Sequence, residues 1–180
     1  MTTLTENLYN GSRLTAHGLY CLINESSQIK NILIQFIKYF PDLEQRVKDI
    51  DSYSEKLSCN ARVLCQYLND DCTGFAAYYA NNIDTKTGYI TLIAIHENFR
   101  RQGLGSKLIR ECFDDMLNSG MNRVRLEVRK ENTAAIEFYK SEGFAFESEA
   151  SPESFYMMRE LYDNKNSPPL YKREECISSS

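Results

Sequence analysis

Apolar residues recur along this chain with two distinct periods, and the switches between them mark its elements. Gly18 to Asn24 (GLYCLIN) predicts a short first strand. From Ser26 the period changes. Ile29, Ile32, Leu33, Phe36, Ile37 and Phe40 fall at helical spacing, and Pro41 stops the run. A second helix is expected with Asp42 as its cap, through Leu43, Val47 and Ile50 towards Leu57, polar on most of its surface. Three strand-like runs follow, Ala61 to Asn69, Thr73 to Asn81 and Gly88 to His96. They are separated by Asn69-Asp70-Asp71 and by the turn from Asp84 to Gly88, and together they predict an antiparallel meander.

After the fourth strand, Arg100 to Gly105 forms a glycine-rich turn into a helix carrying Leu108, Ile109, Cys112, Phe113, Met116 and Leu117, with Gly120 past its end. Arg123 to Arg129 alternates strictly, Val124, Leu126 and Val128 on one face and charged residues on the other. A short helix over Thr133 to Glu142, capped by Asn132 or Thr133, is stopped by Gly143. Strands near Phe144 to Ser148 and Ser154 to Leu161 complete a domain expected over residues 1–161. The segment 162–180 has two prolines and no periodicity and reads as a mobile tail.

Composition narrows the function classes. The 180 residues carry 21 Lys plus Arg against 25 Asp plus Glu, a net charge of -4, which argues against a nucleic-acid-binding surface. No apolar run reaches the ~18 residues of a membrane span, and the first ten residues lack the order of a secretory signal. The expectation is a cytoplasmic protein with no nucleic-acid and no membrane partner. The six cysteines include no C-x-x-C pair, so no metal site is expected and Cys112 reads as a small hydrophobe. The charge is uneven. Arg100 to Lys130 holds eight basic and four acidic residues, a balance of +4, which leaves -8 for the rest.

That basic stretch contains the chemistry. A strand runs into a turn with Gly103 and Gly105, and the turn opens a helix. The unpaired N–H groups of a helix start favour an anion, and Arg100, Arg101 and Lys107 add charge. A dinucleotide fingerprint would need glycine at Leu108, and a P-loop would need Gly-Lys-Ser/Thr where the order is Gly105-Ser106-Lys107.

Arg100-Arg101-Gln102-Gly103-Leu104-Gly105 matches the R/Q-x-x-G-x-G/A signature of the GCN5-related N-acetyltransferase (GNAT) superfamily. Leu126 to Phe144 (LEVRKENTAAIEFYKSEGF) resembles the strand-helix-strand segment of its ribosomal-protein alanine N-acetyltransferase branch. The resemblance implies an α/β (α+β) GNAT fold: a mixed, mostly antiparallel sheet flanked by helices and splayed between its fourth and fifth strands. It implies acetyl-CoA as co-substrate and an amine acceptor as partner, in a monomer or homodimer. Backbone groups of Ile93, Ala94 and Ile95 would line the pantetheine, and one N–H would polarise the thioester carbonyl. Amides from Arg101 through Gln102, Gly103, Leu104 and Gly105 to Ser106 would cradle the pyrophosphate, and Arg100 of the same loop would bind the cofactor. Asn132 would contact the cofactor, Tyr139 would protonate the departing thiolate, and Glu127 would act as general base.

Elementary chemistry agrees with these assignments. A tyrosine near pKa ~10 stays protonated at neutral pH and can donate to a thiolate near ~8.5. An α-amine near ~8 needs only modest help in losing its proton. Competing readings stand beside them. Tyr139 is one of 12 tyrosines and can simply pack in the core. Glu127 can pair with Arg125 and Arg129, or act through water, since Tyr89 occupies the early fourth-strand position of other branches' glutamate. Asn132 can serve simply as its helix cap, a role compatible with touching the cofactor, and His96 suits packing or capping. The acceptor stays open among a protein N-terminus, an amino acid or polyamine, and an amino sugar. A non-catalytic acyl-CoA-binding module is the alternative.

Overall fold

A computed structural model describes residues 12–15, 18–40, 49–68 and 71–162. Its frame is one eight-stranded sheet in the order β1-β2-β3-β4-β5-β6-β8-β7. The strands are β1 Ser12–Thr15, β2 Gly18–Ile23, β3 Arg62–Leu68, β4 Asp71–Tyr79, β5 Thr87–Ile95, β6 Arg123–Arg129, β7 Ala145–Ser151 and β8 Ser154–Glu160. All neighbours run antiparallel except β5 and β6. The four-residue β1 has no strand signal of its own and exists as the hairpin partner of β2. The expected fourth and fifth strands are therefore β5 and β6.

Helices cover both faces. On one, α1 (Ser26–Phe36) buries Ile29, Ile32, Leu33 and Phe36, and α2 (Ile50–Asn60) buries Leu57, against Val63, Phe75, Leu92 and Ala94. The α1 spacing places all four apolar residues on one stripe, as the periodicity predicts. The expected cap Asp42 lies outside the described residues, as does the segment 163–180. The described helix α2 is capped by Asp49, whose Oδ1 accepts from the Asp51 N–H at 2.9 Å and Oδ2 from the Ser52 hydroxyl at 2.6 Å.

On the other face lie α3 (Leu104–Asn118) and α4 (Thr133–Ser141). Leu108, Ile109, Cys112, Phe113 and Met116 of α3 pack on Ile90, Val124, Leu126 and Met157. Cys112 is fully buried among them, a hydrophobe in a core. No described helix is long and apolar enough to cross a membrane.

One irregularity shapes the end of β5. Ala77 of β4 opposes Leu92, but the next residue, Tyr78, opposes Ile90, so Thr91 is an extra residue in β5. A bulge bends its strand and reverses the side-chain alternation beyond it. The packing records that reversal: Ile90 joins the α3 side, whereas Leu92 and Ala94 join the α1 side.

Candidate active site

The bulge ends the pairing of β5 with β6. Their parallel register runs from Thr87↔Arg123 to Ile90↔Leu126 and stops there. Beyond it β5 continues to Ile95 and β6 to Arg129 without pairing to each other. The two strands form a V with Ile90 and Leu126 at its base. Ile93, Ala94 and Ile95, predicted to line a ligand, occupy one wall. Their other edge is held by β4 through Ala76↔Ile93, Phe75↔Ala94 and Gly74↔Ile95. The backbone facing the V is therefore a strand edge with no ladder partner, on a rigid support.

At the mouth of this wall the chain passes through a 3-10 turn, Glu97–Phe99, into the glycine loop. Arg101 and Gly103 both take left-handed backbone (φ 61° and 74°). Gly103 is the N-cap of α3, and no side chain caps that terminus. The first-turn N–H groups of Leu104, Gly105 and Ser106 thus have no side-chain cap at this terminus and are open to an anion. Buried Leu104 pins the turn to the core.

The remaining predicted residues come from β6 and α4. Asn132 caps α4, its Oδ1 accepting from the Ala135 N–H at 3.2 Å. Tyr139 is 9% exposed, its ring packed on Phe138 and edge-on to Phe144 at centroid distances of 5.4 and 5.6 Å. Burial raises its pKa well above that of an ordinary tyrosine. No hydrogen bond ties its hydroxyl to another described residue. Its neighbour Phe138 brings α4 against the loop: a Cβ on Gly105 would lie 3.4 Å from Phe138 and 3.6 Å from Ile95. The ends of β5, α3 and α4 therefore converge.

Glu127 stands on the opposite face of the sheet from Tyr139. Val124, Leu126 and Val128 point into the core that contains Tyr139, so Glu127 between them points the other way, and it is exposed. Its arginine neighbours are engaged elsewhere. Arg125 lies 2.5 Å from Glu147 and stacks 4.2 Å over Tyr156, and Arg129 lies 3.1 Å from Glu131. Instead the Ser154 hydroxyl donates to Glu127 Oε1 at 2.5 Å. His96 caps the 3-10 turn, accepting from the Asn98 N–H at 3.4 Å, in keeping with a packing and capping role.

The family model described as "Acetyltransferase (GNAT) family" matches residues 29–144, more than half of the chain. The chain belongs to the GNAT acetyltransferase family. It is 40% identical over 60 residues to N-alpha-acetyltransferase 30 of Schizosaccharomyces pombe, covering 33% of this chain and 40% of that protein. It is 34% identical over 82 residues to the [ribosomal protein bS18]-alanine N-acetyltransferase of Escherichia coli, covering 44% and 55%. The chain thus spans about half or less of these relatives' length. Among solved structures it resembles Ard1 of Thermoplasma volcanium (TM-score 0.64, 21% identity, 82% of this chain and all of that one). It also resembles the PaiA N-acetyltransferase of Thermoplasma acidophilum, solved with coenzyme A (TM-score 0.63, 15% identity, 78% and 98%).

Within this GNAT fold two contributors escape the sequence. Thr91 opens the V, yet ITLIA reads as an unbroken strand. Ser154 orients Glu127 from 27 residues away. Arg100 has its Nε donating to the Ile95 carbonyl at 3.0 Å and its guanidinium over the Tyr39 ring. Among the described residues no cluster of His, Cys, Asp and Glu has the makings of a metal site.

Proposed function

We propose that this GNAT protein is an acetyl-CoA-dependent N-acetyltransferase acting on an α-amine at a protein or peptide N-terminus. The observation that carries the reading is the V between β5 and β6, with Glu127 on one face of the sheet and Tyr139 on the other. Acetyl-CoA, when bound, supplies a thioester whose acyl group passes to the amine as the free thiol departs. The residues fit such a ligand: an open strand edge for an amide-bearing arm, and the α3 terminus for a pyrophosphate.

The chain's own groups then divide the work. A backbone N–H of the β5 wall donates to the thioester carbonyl oxygen, where negative charge develops during attack. Glu127, held by Ser154, takes a proton from the amine directly or through water. Tyr139 donates its hydroxyl proton towards the leaving sulfur, and its raised pKa keeps that proton in place across the physiological range. Proton removal and proton donation stand on opposite sides of the sheet, so the two groups do not neutralise each other. The names of the two relatives, an N-alpha-acetyltransferase and a ribosomal-protein alanine N-acetyltransferase, support a terminal α-amine.

The test is thiol release from acetyl-CoA with a panel of acceptors: peptides with free N-termini, amino acids, polyamines and amino sugars. The expected result is release with peptides at a kcat/KM at least tenfold above that with any small amine. Faster turnover of a polyamine or amino sugar would transfer the reading to that class. Binding without release for every acceptor would leave an acyl-CoA-binding module.

A further inference from the structure

Between the end of α1 and the glycine loop the chain builds a contact that acyl transfer itself does not require. After α1, the 3-10 turn Ile37–Tyr39 lays two side chains on the segment from Ile95 to Arg100. The Tyr39 hydroxyl accepts from the Glu97 N–H at 3.0 Å, and Lys38 Nζ lies 2.6 Å from Glu97 Oε1. The Arg100 guanidinium sits 4.5 Å over the Tyr39 ring while its Nε donates to the Ile95 carbonyl at 3.0 Å. The His96 ring stands nearly perpendicular to Phe36 and Tyr39, with centroids 6.3 and 6.2 Å away.

These contacts fall where the backbone needs them. Ile95 ends the wall of the V and Leu104 begins α3, and between them only the short 3-10 turn is regular. Two backbone bonds close that turn, Phe99 N–H to His96 carbonyl and Arg100 N–H to Glu97 carbonyl. The left-handed residues Arg101 and Gly103 follow at once. A segment this irregular keeps one geometry only if side chains fix it from outside. Arg100 suits the task because a planar guanidinium stacks on a ring and donates from its edge at the same time. A lysine would keep the charge, but its single ammonium could not stack on the ring and donate to the Ile95 carbonyl at the same time.

We propose that Tyr39 is a positioning residue for the cofactor loop. By clamping Arg100 and Glu97 it fixes the amides from Arg101 to Ser106 relative to the β5 wall. Arg100 serves the site through this clamp rather than as a direct partner of phosphate. The inference rests on the acetyl-CoA reading above.

The test is calorimetric acetyl-CoA binding on the full chain, with a melting curve for each variant. The variants are Tyr39→Ala, Tyr39→Phe, Arg100→Ala, Arg100→Lys and the double Tyr39→Ala/Arg100→Ala. Tyr39→Ala and Arg100→Ala are each expected to weaken binding about 10-fold, the scale of one stacked cation and one hydrogen bond. The double variant should be no more than about 2-fold worse than either single one, because both remove the same clamp. Tyr39→Phe should recover most of the affinity, Arg100→Lys should match Arg100→Ala, and KM for acetyl-CoA should rise with kcat within about 3-fold of the parent. A parental affinity in Arg100→Lys, or losses that multiply to about 100-fold in the double variant, would overturn the clamp in favour of a direct charge on phosphate. Since Arg100 is exposed, its two variants decide the matter even if Tyr39→Ala does not fold. Failure of the unmodified protein to bind acetyl-CoA would defeat the proposed function itself, and the clamp with it.

Discussion

Replacing Tyr139 by phenylalanine separates catalysis from packing more cleanly than any other single change. The ring contacts with Phe138 and Phe144 survive, and only a hydroxyl without a hydrogen bond to another described residue is lost. The hydroxyl makes no hydrogen bond to a described residue, so its removal should leave the melting temperature unchanged. A general acid is worth ~10²- to 10⁴-fold in rate, equivalent to ~2.7–5.4 kcal/mol of transition-state stabilisation. The expected outcome is therefore a kcat reduced at least ~100-fold, with acetyl-CoA affinity and melting temperature unchanged. Thiol release at saturating acetyl-CoA, calorimetric binding and a melting curve measure the three quantities. In the parent, the pH profile should show no loss of the acid up to about pH 10, because burial lifts the Tyr139 pKa above its ordinary value. A Tyr139→Phe enzyme with kcat within about 3-fold of the parent would refute the role and leave Tyr139 as a core aromatic. Tyr139→Ala would not serve, since emptying an aromatic site costs ~3–5 kcal/mol and confounds the two effects.

Particular contacts and buried groups set four further outcomes. Glu127→Gln should lower kcat/KM by ~100-fold or more with acetyl-CoA affinity unchanged, and Ser154→Ala should cost ~3–10-fold by freeing the carboxylate; parental turnover in Glu127→Gln would exclude it as the base. Gly74→Ala places a methyl against the Ile95 side chain and 2.7 Å from the Ala94 carbonyl oxygen, so overpacking of ~1–3 kcal/mol should lower the melting temperature by at least ~2 °C; an unchanged melting curve would contradict the tight β4–β5 contact. Stability should fall as pH rises above ~10: burial raises the folded pKa of Tyr78 and Tyr139, so the unfolded chain sheds those protons first and is favoured. Urea midpoints between pH 8 and 11 measure this, and Tyr139→Phe should flatten the decline; a parallel slope in that variant would show that Tyr139 keeps an ordinary pKa when folded.

What the sequence determined by itself is whatever depends on neighbours within a few residues. The apolar stripe of α1, the strict alternation of β6, the Asn132 cap and the glycine loop into α3 are all local, because helix period, strand period, capping and backbone handedness are short-range properties. Gly103 is legible for the same reason: its left-handed backbone is a requirement of one residue. The two motifs that carry the candidate site, the loop and Leu126 to Phe144, are legible because each is contiguous in sequence.

Tertiary structure alone decided the rest. Residues Ser12–Thr15 form a strand only because β2 offers an edge, and β8 reaches Glu127 only because it enters the sheet between β6 and β7. The bulge at Thr91 comes from the register of β4 against β5, and no periodicity in ITLIA encodes it. Arg100 carries the charge that suggested a phosphate partner, yet a tyrosine 61 residues earlier in the chain takes its guanidinium. In each case the deciding contact joins segments distant in sequence, and its geometry depends on register and side-chain direction, which the chain acquires only on folding.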